Sequence, residues 1–263
     1  MPAPLDRTAE TFDTEASRTD VSVCVAVWKR HRPPNLRTIR AQLDAALDGL
    51  RAELIVVLNG IGERRADVPS DARVVRFELN RGVPPAWNAA GRLARGRFIC
   101  FLNDDVSLGA GAIRRLCEAL ERTPDAGVVG PVGTRWDLAA PRHLSHIDLD
   151  GVEGGTLAEC EVVSGFMFAT PADVFSRAGG FDEAYAPCGF EEVDYCTTAR
   201  LRLGLRCFAV AGVPYEHRFG ISAARARRWR RVRFDGRSET IRTIAARNRR
   251  HFREKWRSLT ARG

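Results

Sequence analysis

Apolar residues in this chain gather into short unbroken runs separated by amphipathic stretches. That is the pattern of strands buried on both faces alternating with helices. Residues 21–28 open the series, residues 53–58 repeat it and close at Asn59-Gly60, and residues 73–77 form a shorter third run. Between the first two, Leu36, Ile39, Leu43, Leu47 and Leu50 recur at helical spacing. Residues 84–94 read as a second helix, ended near Gly96, that leads into the run 98–102. Further buried strands are expected at 162–169 and, as the last one, at 206–213, with a helical segment over 193–203 between them. Strands alternating with helices predict an α/β fold, a doubly wound and mostly parallel sheet flanked by helices.

The most telling run is Phe98-Ile99-Cys100-Phe101-Leu102, because it stops at Asn103-Asp104-Asp105. Ligands of open α/β sheets bind beyond the carboxyl ends of the strands, where these acids fall. Two adjacent carboxylates there can hold a hard divalent cation, which in turn can hold a diphosphate. Asn and Asp also favour turns, so the same residues serve equally as a strand-ending turn.

A second constellation lies downstream. Gly179-Gly180-Phe181-Asp182-Glu183 leads to Phe190-Glu191-Glu192-Val193-Asp194-Tyr195-Cys196, which places three acids at the start of a helix. Acids are favourable at a helix N-terminus by about 0.3–1 kcal/mol each, which explains one or two of them better than three beside aromatics. His217 follows the last expected strand and Pro214. In a chain that already offers a carboxylate pair it is a candidate third metal ligand.

Composition sets the frame. A chain of 263 residues is long enough for one large domain with a well-formed core. No stretch approaches the roughly 20 apolar residues of a membrane span, and the N-terminus lacks a signal-peptide core, so a cytoplasmic location is expected. Residues 1–20 are polar, acidic and Thr-rich and read as a disordered tail. The seven cysteines show no CxxC pair, which favours reduced thiols over a zinc site. Charge is uneven: from Arg218 onward 15 Arg and Lys255 face only Asp235, Glu239 and Glu254, so this extension holds about +13 of a net +8. Residues 218–263 are therefore expected to be a basic helical extension, with Trp229, Phe234, Phe252 and Trp256 packing it onto the main domain. Arg interleaved with Trp also suits peripheral contact with an anionic membrane face, and nucleic acid ranks below that as a partner.

The ordered set of motifs resembles family 2 glycosyltransferases of the GT-A fold, in particular the bacterial rhamnosyltransferase-like branch, over roughly residues 20–257. Its matching parts are Asn80-Arg81-Gly82 with Asn88, residues 102–106, Ser164-Gly165, residues 179–183, residues 191–196, His217 and the ending 248–256. The resemblance implies a metal-dependent, inverting transfer of a hexosyl-type sugar from a nucleotide-sugar to a hydroxyl of a glycan, lipid-linked or small-molecule acceptor. It implies a catalytic domain over 21–217, with the nucleotide-sugar half at about 21–105 and the acceptor half at about 106–217. Asp105 and His217 would bind Mn²⁺ or Mg²⁺, and Asp104 the ribose or the water shell of the metal. Val27, Trp28, Asn59, Asn80, Arg81, Asn88, Asn103 and Gly165 would line the donor site. Asp182, Glu183 and Asp194 would meet the acceptor. Glu192 would be the base, with Glu191 orienting it or touching the acceptor, and inversion needs only one such base.

The chain departs from the family pattern in three places. Leu58-Asn59 stands where the family commonly has an Asp that reads the nucleobase. Val27-Trp28-Lys29-Arg30 replaces the usual Thr-Tyr-Asn-Arg, and Trp28 suits either packing on the sheet or stacking on a base. Glu191-Glu192 replaces Glu-Asp, one methylene longer at the base. A sugar nucleotidyltransferase would need a Gly-rich basic loop after the first strand, which residues 28–34 do not supply. Gly60-Ile61-Gly62 lacks the third glycine of a dinucleotide fingerprint, against an oxidoreductase. A non-enzymatic module that binds nucleotide or polyanion is the remaining alternative.

Overall fold

A computed structural model describes residues 19–28, 36–61, 67–217 and 230–260. Nearly all of the expected N-terminal tail, Lys29, Arg30 and Trp229 lie outside the described residues. The first half runs β1 (Val21–Val27), α1 (Leu36–Leu47), β2 (Ala52–Asn59), β3 (Arg73–Phe77), α2 (Val83–Leu93) and β4 (Phe98–Asn103). Then follow β5 (Val106–Leu108), α3 (Ala112–Arg122), β6 (Ala126–Gly130), β7 (Gly133–Asp137), β8 (Arg142–His146), β9 (Leu157–Cys160), β10 (Val162–Val163) and β11 (Met167–Pro171). The second half continues with α4 (Ala172–Ala178), a 3₁₀ turn (Glu183–Tyr185), α5 (Glu191–Leu201), β12 (Arg206–Val210) and β13 (Tyr215–His217). The hairpin β14 (Arg231–Phe234) and β15 (Arg237–Thr240) and the long helix α6 (Ile241–Thr260) complete it.

Eight strands form the central sheet in the order β3-β2-β1-β4-β11-β6-β12-β9. The pairs among β3, β2, β1 and β4 and the β6–β12 pair are parallel, whereas β11 and β9 run antiparallel to their neighbours. Alternation along β1 shows how the sheet is covered on both sides. Val21, Val23, Val25 and Val27 join Ile39, Leu43, Ile113 and Leu116 of α1 and α3 in one core. Cys24 joins Trp87, Phe101, Phe168 and Tyr195 in the other. Phe101 lies 5.0–5.6 Å from the rings of Trp87, Phe168, Phe175 and Phe181, so one aromatic cluster ties α2, β4, β11 and α4 together. Full burial of each such side chain stabilises the fold by about 1.5–3 kcal/mol.

Three expectations need correction. The apolar run 162–169 is not one strand: β10 and β11 belong to different sheets and are separated by the turn at Ser164, Gly165 and Phe166. The Ser164 N–H donates to Val132 O, and Phe166 O accepts from the Asn103 N–H, so the backbone changes partners inside the apolar run. The strand starting at Arg206 ends at Val210 and is not the last. Nor is the basic extension helical throughout. Buried Val232 and Phe234 alternate with exposed Arg231 and Arg233, a period of two, and Asp235-Gly236 turns the chain with φ of 46° and 72°. Asp-Gly between alternating residues is a strong two-residue hairpin signal. Here the density of arginines masks it.

Candidate active site

Register places the first residues of the site along one edge of the sheet. Ala26 pairs with Asn103 and Val27 with Leu58, so Trp28, Asn59 and Asp104 follow one another at the carboxyl ends of three adjacent parallel strands. Asp104 is buried; burial, and after it the charge of Asp105, push its carboxyl up to about 8. Beyond the pair the chain forms β5, which β13 covers with His217 opposite Val106. That pairing brings His217 Nε2 to 3.2 Å from Asp105 Oδ1, although the residues are 112 positions apart. The imidazole stacks on Phe166, with centroids 4.4 Å apart and planes 11° from parallel.

The donor set at this point suits a divalent cation. Asp105 Oδ1 is buried and accepts no hydrogen bond, and a carboxylate oxygen with an imidazole nitrogen is a usual pair for such an ion. Neighbouring donors of an octahedral ion with bonds of about 2.1 Å lie about 3 Å apart, close to the separation seen. Among the described residues no cluster of three metal-ligating side chains exists.

Glu191 and Glu192 begin α5. Phe190 precedes them in the left-handed region, with φ 78°. A non-glycine residue held there costs of order 1 kcal/mol or more, and such strain clusters at functional sites. Glu191 is buried with its Oε2 lacking any hydrogen bond, and Glu192 is half-buried. Burial, then the neighbouring Glu192 charge, drive the Glu191 carboxyl well above the ordinary range; burial raises that of Glu192 as well. A Cβ built on Gly165 would sit 3.3 Å from Glu192 Cβ and 3.4 Å from its Cδ. The turn at 164–166 therefore touches both acid clusters: Gly165 lies against Glu192 and Phe166 against His217.

Several residues expected to bind the donor are instead occupied by the protein's own backbone. Asn59 is buried, its amide donating to Gly82 O at 3.0 Å and its oxygen accepting from the Arg81 N–H at 2.8 Å. Asn80 donates to Arg233 O and accepts from the Gly82 N–H, which ties this loop to the C-terminal hairpin. Asn88 donates to Phe181 O and to Glu183 Oε1 and accepts from the Phe181 N–H. Arg81 keeps a half-exposed guanidinium 5.2 Å from the Phe77 ring centroid and 3.9 Å from Asp235. Gly82, at φ 94°, permits a close approach: a Cβ there would meet Pro187 Cα at 2.6 Å, and the Val83 N–H donates to Pro187 O. The loop before Glu191 is thus pressed against the loop after β3.

Two residues expected at the acceptor hydrogen-bond to side chains of α6. Asp194 is buried and accepts from Tyr185 Oη, Trp256 Nε1 and Lys255 Nζ at 3.1, 2.8 and 2.8 Å. Asp182 accepts from Lys255 Nζ at 2.8 Å, His251 Nε2 at 2.9 Å and the Ala184 N–H at 3.0 Å. Burial would raise the Asp182 carboxyl, but the Lys255 and His251 bonds outweigh it and hold the group at about 2. Both aspartates anchor α6. Sequence reading alone gave no role to Phe166 or to Lys255, because nothing local shows that they meet His217 and these aspartates.

Residues 22–147 match the family model described as glycosyl transferase family 2. Among curated protein sequences nothing matches the chain significantly. Of solved structures, GalNAc-T7 crystallised with UDP, GalNAc and Mn²⁺ is similar at a TM-score of 0.67 and 11% identity, over 94% of this chain and 50% of that one. The mannosyltransferase PcManGT from Pyrobaculum calidifontis, in complex with GDP-Man and Mn²⁺, is similar at 0.50 and 19% identity, over 75% of this chain and 56% of that one. The chain spans about half the length of these structures, and what it shares with them is the fold. Residues 22–147, just under half of the chain, are thus similar to glycosyl transferase family 2, and the fold is the GT-A type of the solved structures it resembles.

Proposed function

We propose that the protein is a metal-dependent, inverting glycosyltransferase that moves a sugar from a nucleotide-sugar to an acceptor hydroxyl. The observation that carries this reading is the turn at 164–166, which touches Glu192 through Gly165 and, through Phe166, the His217 that pairs with Asp105. A metal and diphosphate site beside a carboxylate base is what such a transfer requires. The fold neighbours were crystallised with UDP or GDP-Man and with Mn²⁺, which supports a nucleoside diphosphate and a divalent metal here.

In this reading Asp105 and His217 would hold Mn²⁺ or Mg²⁺, and Asp104 would meet the ribose or the water shell of the metal. The bound cation would neutralise charge on the departing diphosphate. Glu192 takes the proton of the acceptor hydroxyl as its oxygen attacks the anomeric carbon. The bond from that carbon to the phosphate oxygen breaks, and the nucleoside diphosphate leaves with the electron pair. One displacement inverts the anomeric centre and needs no covalent enzyme intermediate. Glu191, with its buried orphan oxygen, orients Glu192 or the acceptor. Asn59, Asn80 and Asn88 shape the donor side through the loops they hold, and Trp28 and Arg81 are the side chains there for direct contact. We assign Asp182 and Asp194 to anchoring α6 rather than to the acceptor.

Thermal shift with a panel of nucleoside diphosphates and nucleotide-sugars, with and without Mn²⁺, tests the reading. A ligand at 100 times its Kd stabilises by about 2.7 kcal/mol. At least one nucleotide should raise Tm in Mn²⁺ and lose that effect in EDTA, and the cognate nucleotide-sugar should be slowly hydrolysed. If no nucleotide stabilises the protein with Mn²⁺, the donor site is wrongly assigned.

A further inference from the structure

The amide of Asn248 is fully buried in α6, and it spends its single nitrogen on one loop. Asn248 Nδ2 lies 2.9 Å from Tyr185 O, 3.1 Å from Cys188 O and 2.7 Å from Gly189 O. An amide carries two hydrogens, so three carbonyls compete for them, and the loop must curl around this one atom to present all three. The neighbouring Arg247 donates to Ala186 O while its guanidinium is held by Glu239 at 2.7 and 2.9 Å. Four carbonyls of the five residues before Phe190 thus lie within hydrogen-bonding distance of α6 side chains.

That loop has one destination. It runs into Phe190, held at φ 78°, and then into Glu191 and Glu192. Phe252 of α6 lies 5.7 Å from the Phe190 ring. The carbonyl of Gly189, two residues before Glu191, is taken by Asn248. Farther along α6, Lys255 and Trp256 grip Asp194, and Lys255 and His251 grip Asp182. Helix α6 therefore fastens the segment 182–194 on both sides of the acid pair. Simple docking of the helix needs none of this, since Ile244, Phe252 and Trp256 already supply the apolar contact.

We propose that α6 is a positioning element of the catalytic site and that Asn248 is the residue that fixes the loop aiming Glu191 and Glu192. The proposal rests on the transferase reading for its consequence in turnover, but not for the loop geometry. Displacing a reacting group by about 1 Å from a distance can lower turnover about 10²-fold.

The test uses Asn248→Ala and Asn248→Asp in the full chain, the second placing a carboxylate before three carbonyls. Amide hydrogen exchange over 185–194, affinity for a nucleoside diphosphate with Mn²⁺, and kcat with its pH profile are measured. Loss of protection confined to this loop, nucleotide affinity within about twofold of wild type and kcat lowered about 10²-fold are expected, with a shifted acid limb of the profile. If Asn248→Ala does not fold, Asn248→Ser keeps one donor and carries the same comparison, with partial rescue expected. Unchanged exchange in the loop overturns the proposal, as does a fall in kcat matched by an equal fall in nucleotide affinity. A wild-type protein that transfers no sugar defeats the transferase reading alone, and the exchange data then decide whether Asn248 fixes the loop.

Discussion

Gly165 has no side chain where Glu192 lies: a Cβ there would stand 3.3 Å from Glu192 Cβ and 3.4 Å from its carboxyl carbon. Contacts this short require the neighbour to yield by a few tenths of an ångström. The Gly165→Ala variant should therefore keep its fold and its nucleotide affinity, with turnover reduced about tenfold through displacement of Glu192. Steady-state kinetics beside a thermal melt check this. A variant with unchanged turnover would mean that the position of Glu192 is not critical.

The Asp105–His217 contact predicts metal-dependent donor binding. Asp105→Asn should leave the melting profile close to wild type without ligand, abolish Mn²⁺-dependent stabilisation by a nucleoside diphosphate, and lower turnover by about 10² or more. Unchanged nucleoside diphosphate affinity in EDTA would refute the metal assignment.

Glu192→Gln is nearly isosteric. Donor affinity should stay near wild type while kcat falls by about 10²–10⁴. Because burial raises the Glu192 carboxyl, the acid limb of the wild-type pH profile should lie above the ordinary carboxylate range. If Glu191→Gln is the inactive variant and Glu192→Gln remains active, the base is the neighbour.

Asp182 links the anchoring of α6 to pH. Its carboxyl is held at about 2 against a model-peptide value of 3.8, so the unfolded chain binds more protons between these values. The contribution is complete above about pH 4 and is lost as pH falls through about 2. Its size is on the order of 1 kcal/mol once solvent screening of this partly exposed group is allowed for. Asp182→Asn should flatten the fall of stability across this window in denaturant titrations. A wild-type slope in the variant would assign the acid sensitivity elsewhere.

The C-terminal extension is fastened by buried groups, with Ile244, Asn248, Phe252 and Trp256 each at most 2% exposed. Replacing one buried Phe or Trp by Ala typically costs about 3–5 kcal/mol. Removal of residues 218–263 should lower Tm, soluble yield and turnover together, because the apolar face under α6 opens to water. Truncation that leaves Tm and turnover unchanged, and abolishes only binding to anionic vesicles at low salt, would make the extension a membrane anchor.

The sequence by itself determined the α/β character, the first four strands and the position of the acids. Short continuous apolar runs bounded by turn residues read as strands covered on both faces, and polar residues that end such runs fall at the sheet's edge. Asp104-Asp105 was legible for that reason, and Glu191-Glu192 by its place at the start of a helical segment beside aromatics. Even the hairpin at Asp235-Gly236 was written locally, under its arginines. Tertiary structure decided who meets whom. The run 162–169 breaks at Ser164 because Val132 and Asn103 claim its backbone, and no local pattern encodes that claim. Asn59, Asn80, Asn88, Asp182 and Asp194 have the chemistry of ligand-binding residues, yet a buried amide or carboxylate bonds whichever partner the fold supplies. Here those partners come from loops and a helix up to 153 positions away, as between Asn80 and Arg233. Side-chain type fixes what a polar group can bond, and only the packed chain fixes what it does bond.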